Sequence, residues 1–316
     1  MRVLLGFLLA LLALAAPASA GELLTIPLGR GHLEGEMLTP LRPRHALVLV
    51  PGSGPTDRDG NGPQAALRSD SYRLMAQDLA REGIASIRID KRGQFGSASV
   101  ITDPEAVTIA DYAGDLRLWI ARAAELAPCV WLAGHSEGGL VALASVAENP
   151  PPELCGLILL AAPGRPLDVI LLEQMAAHPA SAMMLSEIEP LVADLKQGVS
   201  RDPESLSPAL RPLFSLGLQR YMSDLFTYSP AELAKAWRGN ALIVQGTADM
   251  QLRPLDAELL ARAMPQAEKV ELQGATHMLK LDVPGKPYAT YMDPSLALHP
   301  DLVPAIADYL ARHVRD

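Results

Sequence analysis

Gly134-His135-Ser136-Glu137-Gly138-Gly139 stands between an apolar run, Val130-Trp131-Leu132-Ala133, and a helix-like run, Leu140-Val141-Ala142-Leu143-Ala144. The pattern is G-x-S-x-G in the strand, turn, helix setting of a nucleophile elbow. Glycines lack a Cβ, so the chain can turn sharply from strand into helix and leave a strained serine at the apex, its hydroxyl exposed at the end of a sheet. Ser136 is therefore the candidate nucleophile.

Working outward, apolar stretches of strand length recur at Leu23 to Leu28, Leu33 to Leu38, Ala46 to Val50, Ile84 to Ile89, Gly156 to Ala161, Ala241 to Gln245 and Lys269 to Leu272. The first two are interrupted by polar residues and joined by Gly29-Arg30-Gly31, which predicts an antiparallel hairpin at a sheet edge. From Ala46 onward the runs are apolar on both faces, as parallel strands covered by helices on both sides must be. Helix-period patterns lie at Ser71 to Arg81, Thr108 to Glu125, Glu137 to Ala147, Pro254 to Ala263 and Pro300 to Val314. Together these predict a doubly wound, mostly parallel, eight-stranded α/β sheet with an antiparallel start. Between Pro163 and Trp237 apolar residues fall at helical spacing with no strand signal. A helical lid is expected over about 163–238, across the carboxyl edge of the sheet.

A serine hydroxyl needs a base, and the base needs an orienting acid. Of seven histidines, His277 follows directly on the strand-like Lys269 to Leu272 and lands in a loop on the same sheet edge as the elbow. His135 neighbours Ser136 and is expected to point away from it. Asp249, in Gly246-Thr247-Ala248-Asp249, ends the buried run Ala241 to Gln245, and it is preferred to Asp256 and Asp282 because a strand end fixes its backbone. An oxyanion formed at Ser136 needs at least two backbone N–H donors. One is the Glu137 amide at a helix N-terminus, where the helix dipole and unpaired N–H groups favour negative charge. The other is expected from the loop Pro51-Gly52-Ser53-Gly54-Pro55, with Ser53 the first choice and Gly52 the second.

With these residues in place the chain resembles the α/β-hydrolases over nearly all of residues 21–316. The order Ser136, Asp249, His277 is that family's nucleophile, acid, histidine order, and the insertion takes the place of its lid. Asp90-Lys91-Arg92-Gly93-Gln94-Phe95-Gly96-Ser97 is similar to the family's D-x-R-G-x-G-x-S loop, with one extra residue between the glycines. The branch it resembles holds serine aminopeptidase-like proteins, monoglyceride lipases and thioesterases. Two residues depart from the pattern. Pro51 stands where a histidine usually precedes the oxyanion glycine, and Glu137 stands where lipases often carry Met or Gln. The resemblance implies a hydrolase that cleaves an ester or thioester of a small to medium acyl group through an acyl-enzyme, without a cofactor. An exopeptidase is the alternative, for which Glu173 or Glu187 could supply an acidic pocket for a free α-amine. Less expected is a non-catalytic binder of apolar ligands.

The N-terminus reads Met1-Arg2, an apolar stretch from Val3 to Ala16, then Pro17-Ala18-Ser19-Ala20. A basic start, an apolar core and a small-x-small ending predict a secretory signal peptide over residues 1–20, and hence an exported, periplasmic or secreted protein. No later stretch is apolar for long enough to span a bilayer. With 27 Lys and Arg against 36 Asp and Glu and no basic cluster, nucleic acid and anionic membranes are poor partners, leaving a small-molecule substrate. Cys129 and Cys155 head two runs expected to be neighbouring strands. In an exported chain they could form a disulfide, the alternative being two buried thiols. Asp57-Arg58-Asp59-Gly60-Asn61-Gly62 opens like an EF-hand loop, but Arg68 stands where the bidentate glutamate belongs. A polar loop rimming the oxyanion site is expected instead, its acidic residues disfavouring strongly anionic acyl groups.

Overall fold

The structure, a computed structural model, describes residues 21–62, 67–103 and 106–314; the expected signal peptide lies outside them. The strands are β1 (Glu22–Leu28), β2 (Gly31–Leu38), β3 (His45–Val50), the short pair β4 (Asn61–Gly62) and β5 (Leu67–Arg68), then β6 (Ala85–Ile89), β7 (Cys129–His135), β8 (Leu154–Leu160), β9 (Asn240–Gly246) and β10 (Glu268–Leu272). Eight of them form one sheet in the order β1-β2-β6-β3-β7-β8-β9-β10. The β1–β2 hairpin is antiparallel and pairs antiparallel with β6, and every later pairing in this sheet is parallel. This is the α/β-hydrolase fold.

The middle strands β3, β6, β7 and β8 are buried at every residue, because helices cover both faces. On one side lie α2 (Ile109–Ala123), α3 (Glu137–Val146) and α9 (Pro254–Ala263), with Trp119, Leu140 and Leu260 in the core. On the other lie α1 (Ser71–Arg81) and α11 (Leu302–Ala311), with Met75, Leu79 and Ile306. Local chemistry sets their ends: Thr108 and Asp111 close a capping box on α2, and Pro254 opens α9, where its missing N–H costs nothing.

Between β8 and β9 the chain forms α4 (Leu167–Ala177), α5 (Pro179–Ala182), α6 (Leu185–Lys196), α7 (Leu216–Leu225) and α8 (Pro230–Ala236). Ile188, Leu191 and Leu195 of α6 are buried and join the core on the α2–α3 side. Arg165 ties the start of this insertion to α9, with its guanidinium on Asp256 at 2.8 Å, and to α4, through Glu173 at 2.6 Å. A last short helix, α10 (Ala289–Met292), follows β10. The pair β4–β5 and α10 are absent from the sequence-based expectation, since two-residue strands and a four-residue helix carry no period.

Cys129, first residue of β7, and Cys155, near the start of β8, are joined by a disulfide. It lies at the amino end of the strands, opposite the edge that carries Ser136. Among the described residues, no helix is long and apolar enough to cross a membrane.

Candidate active site

Strand β7 ends at His135, and Ser136 caps α3 with φ 54° and ψ −127°, a conformation that costs an L-residue energy unless its surroundings hold it. They do so through backbone contacts. The Ser136 N–H donates to Leu160 O at 3.0 Å, and Ser136 O accepts the Gly139 N–H at 2.8 Å. A Cβ on Gly134 would stand 2.3 Å from Gly138 O, and one on Gly138 would stand 2.3 Å from Val50 O. Close approach of backbone to backbone thus dictates the glycines of the motif.

His277 and Asp249 meet at this edge. His277, in the loop after β10, places Nδ1 2.8 Å from Asp249 Oδ2. Asp249 Oδ1 accepts the N–H groups of Gln251 at 2.7 Å and Leu252 at 3.0 Å, and Gln245 Nε2 donates to Oδ2 at 3.1 Å. Burial alone would raise the Asp249 pKa, but the charge of His277 and its hydrogen bond, with those from Leu252 and Gln251, hold it below the ordinary carboxylate value. An ionised Asp249 keeps the proton of neutral His277 on Nδ1 and leaves Nε2 as the acceptor. The competing acids do other work. Asp256 accepts from the Gly164 and Arg165 N–H groups and from the Arg165 guanidinium, and Asp282 is exposed.

The loop after β3 brings Gly52 against the elbow, where a Cβ would lie 3.2 Å from Ser136 Cβ. The Gly52 N–H donates to Tyr72 Oη at 3.1 Å, which removes the second-choice oxyanion donor. The N–H groups of Ser53 and Glu137 have no acceptor among the described residues.

His135 points away from Ser136, as expected, and has a role that the sequence does not reveal. Its ring is buried and lies 4.7 Å from the ring of His277, centroid to centroid. Burial, reinforced by His277, drives its pKa down to about 3. The neutral ring donates from Nε2 to His277 O at 2.8 Å, so Nδ1 accepts the Tyr72 O–H at 2.7 Å. One chain of hydrogen bonds therefore runs from the Gly52 N–H through Tyr72 and His135 to the His277 backbone. Strand alternation predicts that His135 and Ser136 diverge, as they do; it cannot show that His135 reaches the next loop.

Two cavities meet at Ser136 and share Ser53, Gln174 and Gln251. One, about 580 Å³, runs past His277 toward Met250, Tyr288, Tyr291 and Met292. The other, about 920 Å³, lies under α4 and α7, with Leu171, Leu218, Met222 and Phe226 on its walls and Lys91, Tyr112, Glu137 and Tyr221 among its polar lining.

The acidic loop is held by contacts within itself and to the end of β6. Asp57 Oδ1 accepts the N–H groups of Asp59 at 2.9 Å and Asn61 at 2.8 Å, Arg58 binds Asp90 at 2.6 Å, and Asp59 pairs with Arg88. Among the described residues, no group of three His, Cys, Asp or Glu is arranged to hold a metal ion.

Residues 66–283 match the family model of the serine aminopeptidases, S33. No curated protein is recognisably similar in sequence. Among solved structures, Est1E from Butyrivibrio proteoclasticus with ferulic acid bound superposes with a TM-score of 0.56 at 14% identity, over 92% of this chain and 98% of that one. A thermophilic esterase from Thermogutta terrifontis with malate bound gives 0.56 at 20% identity, over 94% and 100%. A dienelactone hydrolase from Anabaena variabilis gives 0.54 at 14%, over 94% and 99%. At these identities the likeness is one of fold.

Proposed function

The chain is a hydrolase of the serine aminopeptidase (S33) family within the α/β-hydrolase superfamily, and on that premise we propose that it is an exported serine esterase or thioesterase acting on small to medium acyl groups. The observation that carries the reading is the 2.8 Å bond between His277 Nδ1 and Asp249 Oδ2, with His277 lining the same cavity as Ser136. Ser136 attacks the acyl carbon while His277 Nε2 takes the hydroxyl proton, and the Ser53 and Glu137 N–H groups receive the oxyanion. His277 then gives that proton to the leaving oxygen or sulfur, which departs and leaves the acyl group on Ser136 Oγ. Water activated by the same histidine releases the acid.

The two cavities take the two halves of the substrate. A leaving group must reach the histidine that protonates it, which assigns it to the cavity lined by His277. The acyl group then occupies the cavity under α4 and α7, whose walls suit an apolar chain or ring. For an exopeptidase, Glu173 and Glu187 would have to face a free amine. Glu173 is instead engaged by Arg165 and Arg253, and Glu187 accepts the Ser207 N–H at 2.7 Å. Export is supported by the character of residues 1–20 and by the Cys129–Cys155 disulfide.

The test is a panel of chromogenic esters and thioesters of graded acyl length, with hydroxycinnamate esters and aminoacyl anilides as further arms and Ser136→Ala as the blank. Ester or thioester turnover that vanishes in Ser136→Ala is expected. Turnover confined to the anilides would overturn the assignment.

A further inference from the structure

Next to the proposed nucleophile lies a buried charge that the triad does not use. Lys91 follows β6, and its side chain and that of Glu137 are each 3% exposed. The ammonium donates to Gly52 O at 2.6 Å and to Glu137 Oε1 at 3.3 Å, and it lies 5.2 Å from the centre of the Tyr112 ring. Both hydrogen bonds end on groups that govern the oxyanion donors.

Gly52 C=O and Ser53 N–H belong to one peptide. A trans peptide is planar and its C=O and N–H point in opposite directions, so fixing the oxygen fixes the direction of the N–H. The second bond holds the side chain of Glu137, whose own N–H is the other donor. It also answers an electrostatic problem, because an unpaired carboxylate beside Ser136 would oppose the negative charge that develops there. Lys91 occupies the variable position of the D-x-R-G loop and Glu137 the position after the nucleophile, where it departs from the family pattern, and the structure shows that the two are partners.

We propose that Lys91 is a positioning residue of the oxyanion site, clamping the Gly52–Ser53 peptide to Glu137 and cancelling the Glu137 charge. The proposal rests on the serine-hydrolase reading above. Because an oxyanion exists only in the transition state and the tetrahedral adduct, the clamp acts on kcat and leaves ground-state binding alone.

The test compares wild type with Lys91→Met, Glu137→Gln and the double variant Lys91→Met/Glu137→Gln, which keeps the site neutral should Lys91→Met alone fail to fold. Three quantities are read: kcat and KM for a short-chain ester, the rate of Ser136 labelling by a fluorophosphonate, and the affinity of an alkyl boronic acid that forms a tetrahedral adduct with the serine. In the double variant, kcat, labelling rate and boronate affinity should each fall about 10- to 100-fold, part of the loss that follows removal of a whole oxyanion donor. KM should stay within about threefold. Glu137→Gln, which keeps the bond to Gly52, should lose less than the double variant. A double variant with wild-type kcat and boronate affinity, or one altered only in KM, overturns the clamp. A wild type inert to every ester and to the fluorophosphonate instead overturns the hydrolase mechanism and the clamp with it.

Discussion

Asp249→Asn tests the assignment of the acid most sharply, and its effect can be worked out from the hydrogen bonds. Asp249 Oδ1 faces two N–H groups, from Gln251 at 2.7 Å and Leu252 at 3.0 Å, so only an acceptor can sit there. The asparagine carbonyl must take that place, which turns its NH₂ group toward His277 Nδ1, 2.8 Å from the present Oδ2. An amide donating to Nδ1 forces the imidazole proton onto Nε2, where it blocks proton transfer from Ser136. The same exchange in a serine protease triad costs about 10⁴ in kcat, equivalent to about 5.5 kcal/mol of barrier. A smaller structural cost comes with it, because Gln245 Nε2, now 3.1 Å from Oδ2, meets a donor. The cost stays small, because Gln245 Nε2 keeps Gly246 O at 3.2 Å and Leu252 O at 3.4 Å as acceptors. Steady-state ester hydrolysis, with circular dichroism to confirm folding, should show a folded protein with kcat about 10⁴-fold down and KM nearly kept. Asp256→Asn is the control and should lower stability far more than kcat, since Asp256 anchors Arg165 and the insertion. Asp249→Asn within tenfold of wild type, or a larger kcat loss in Asp256→Asn or Asp282→Asn, refutes the reasoning.

Four further outcomes follow from the same geometry. A fluorophosphonate should label Ser136 alone, and His277→Ala should slow that labelling by at least about 10³-fold while the chain stays folded; labelling retained in Ser136→Ala places the nucleophile elsewhere. His135 has a folded pKa of about 3 against an unfolded value of about 6.5, so between those pH values the unfolded chain holds a proton that the folded chain lacks. Its contribution is present in full above pH 6.5 and is lost as pH falls toward 3, by about 1.4 kcal/mol per pH unit; His135→Asn should flatten the fall of urea midpoints from pH 6.5 to 4, and an unchanged slope counts against burial as the cause. Cys129 and Cys155, 26 residues apart, close a loop worth about 3.5 kcal/mol, so reduction should lower the melting temperature and leave kcat at moderate temperature unchanged; two free thiols in the unfolded, unreduced protein would show that no bridge forms. Leu218→Trp, on the wall of the 920 Å³ cavity, should shift preference toward the shortest acyl groups, and unchanged chain-length selectivity would remove that cavity from acyl binding.

What the sequence makes legible is whatever a local pattern can encode. β7, α3 and the elbow follow from two glycines and the switch from an unbroken apolar strand to a helix. α1 and α9 fall at Ser71–Arg81 and Pro254–Ala263, the bounds expected from period and Pro254. His277 and Asp249 are found because each directly follows a strand of one parallel sheet, so topology alone puts them on the elbow's edge. Residues whose roles depend on contacts between distant segments leave no such trace. Tyr72, on α1, reaches both Gly52 and His135 at the end of β7, across 20 and 63 residues of chain. Lys91 sits in a recognisable loop, but no spacing rule connects it with Glu137, 46 residues away.

The two ionisable residues that flank Ser136 are handled by opposite physical devices, and the chemistry proposed here requires both. During attack His277 must become a cation. A second cation on His135, with ring centres 4.7 Å apart, would oppose it by about 3.5 kcal/mol at an effective dielectric of 20, more than two powers of ten in rate. Burial keeps His135 uncharged instead, which lets the ring serve as a rigid link between Tyr72 and the His277 backbone without lowering the basicity of its neighbour. Glu137 is treated differently, through the ammonium of Lys91. A partner rather than neutralisation is used there because the same ammonium can also hold the Gly52 carbonyl, so one buried cation serves charge balance and donor geometry together. The residues beside the nucleophile that look least suited to an anionic transition state are thus those that tie the oxyanion loop and the histidine loop to the elbow.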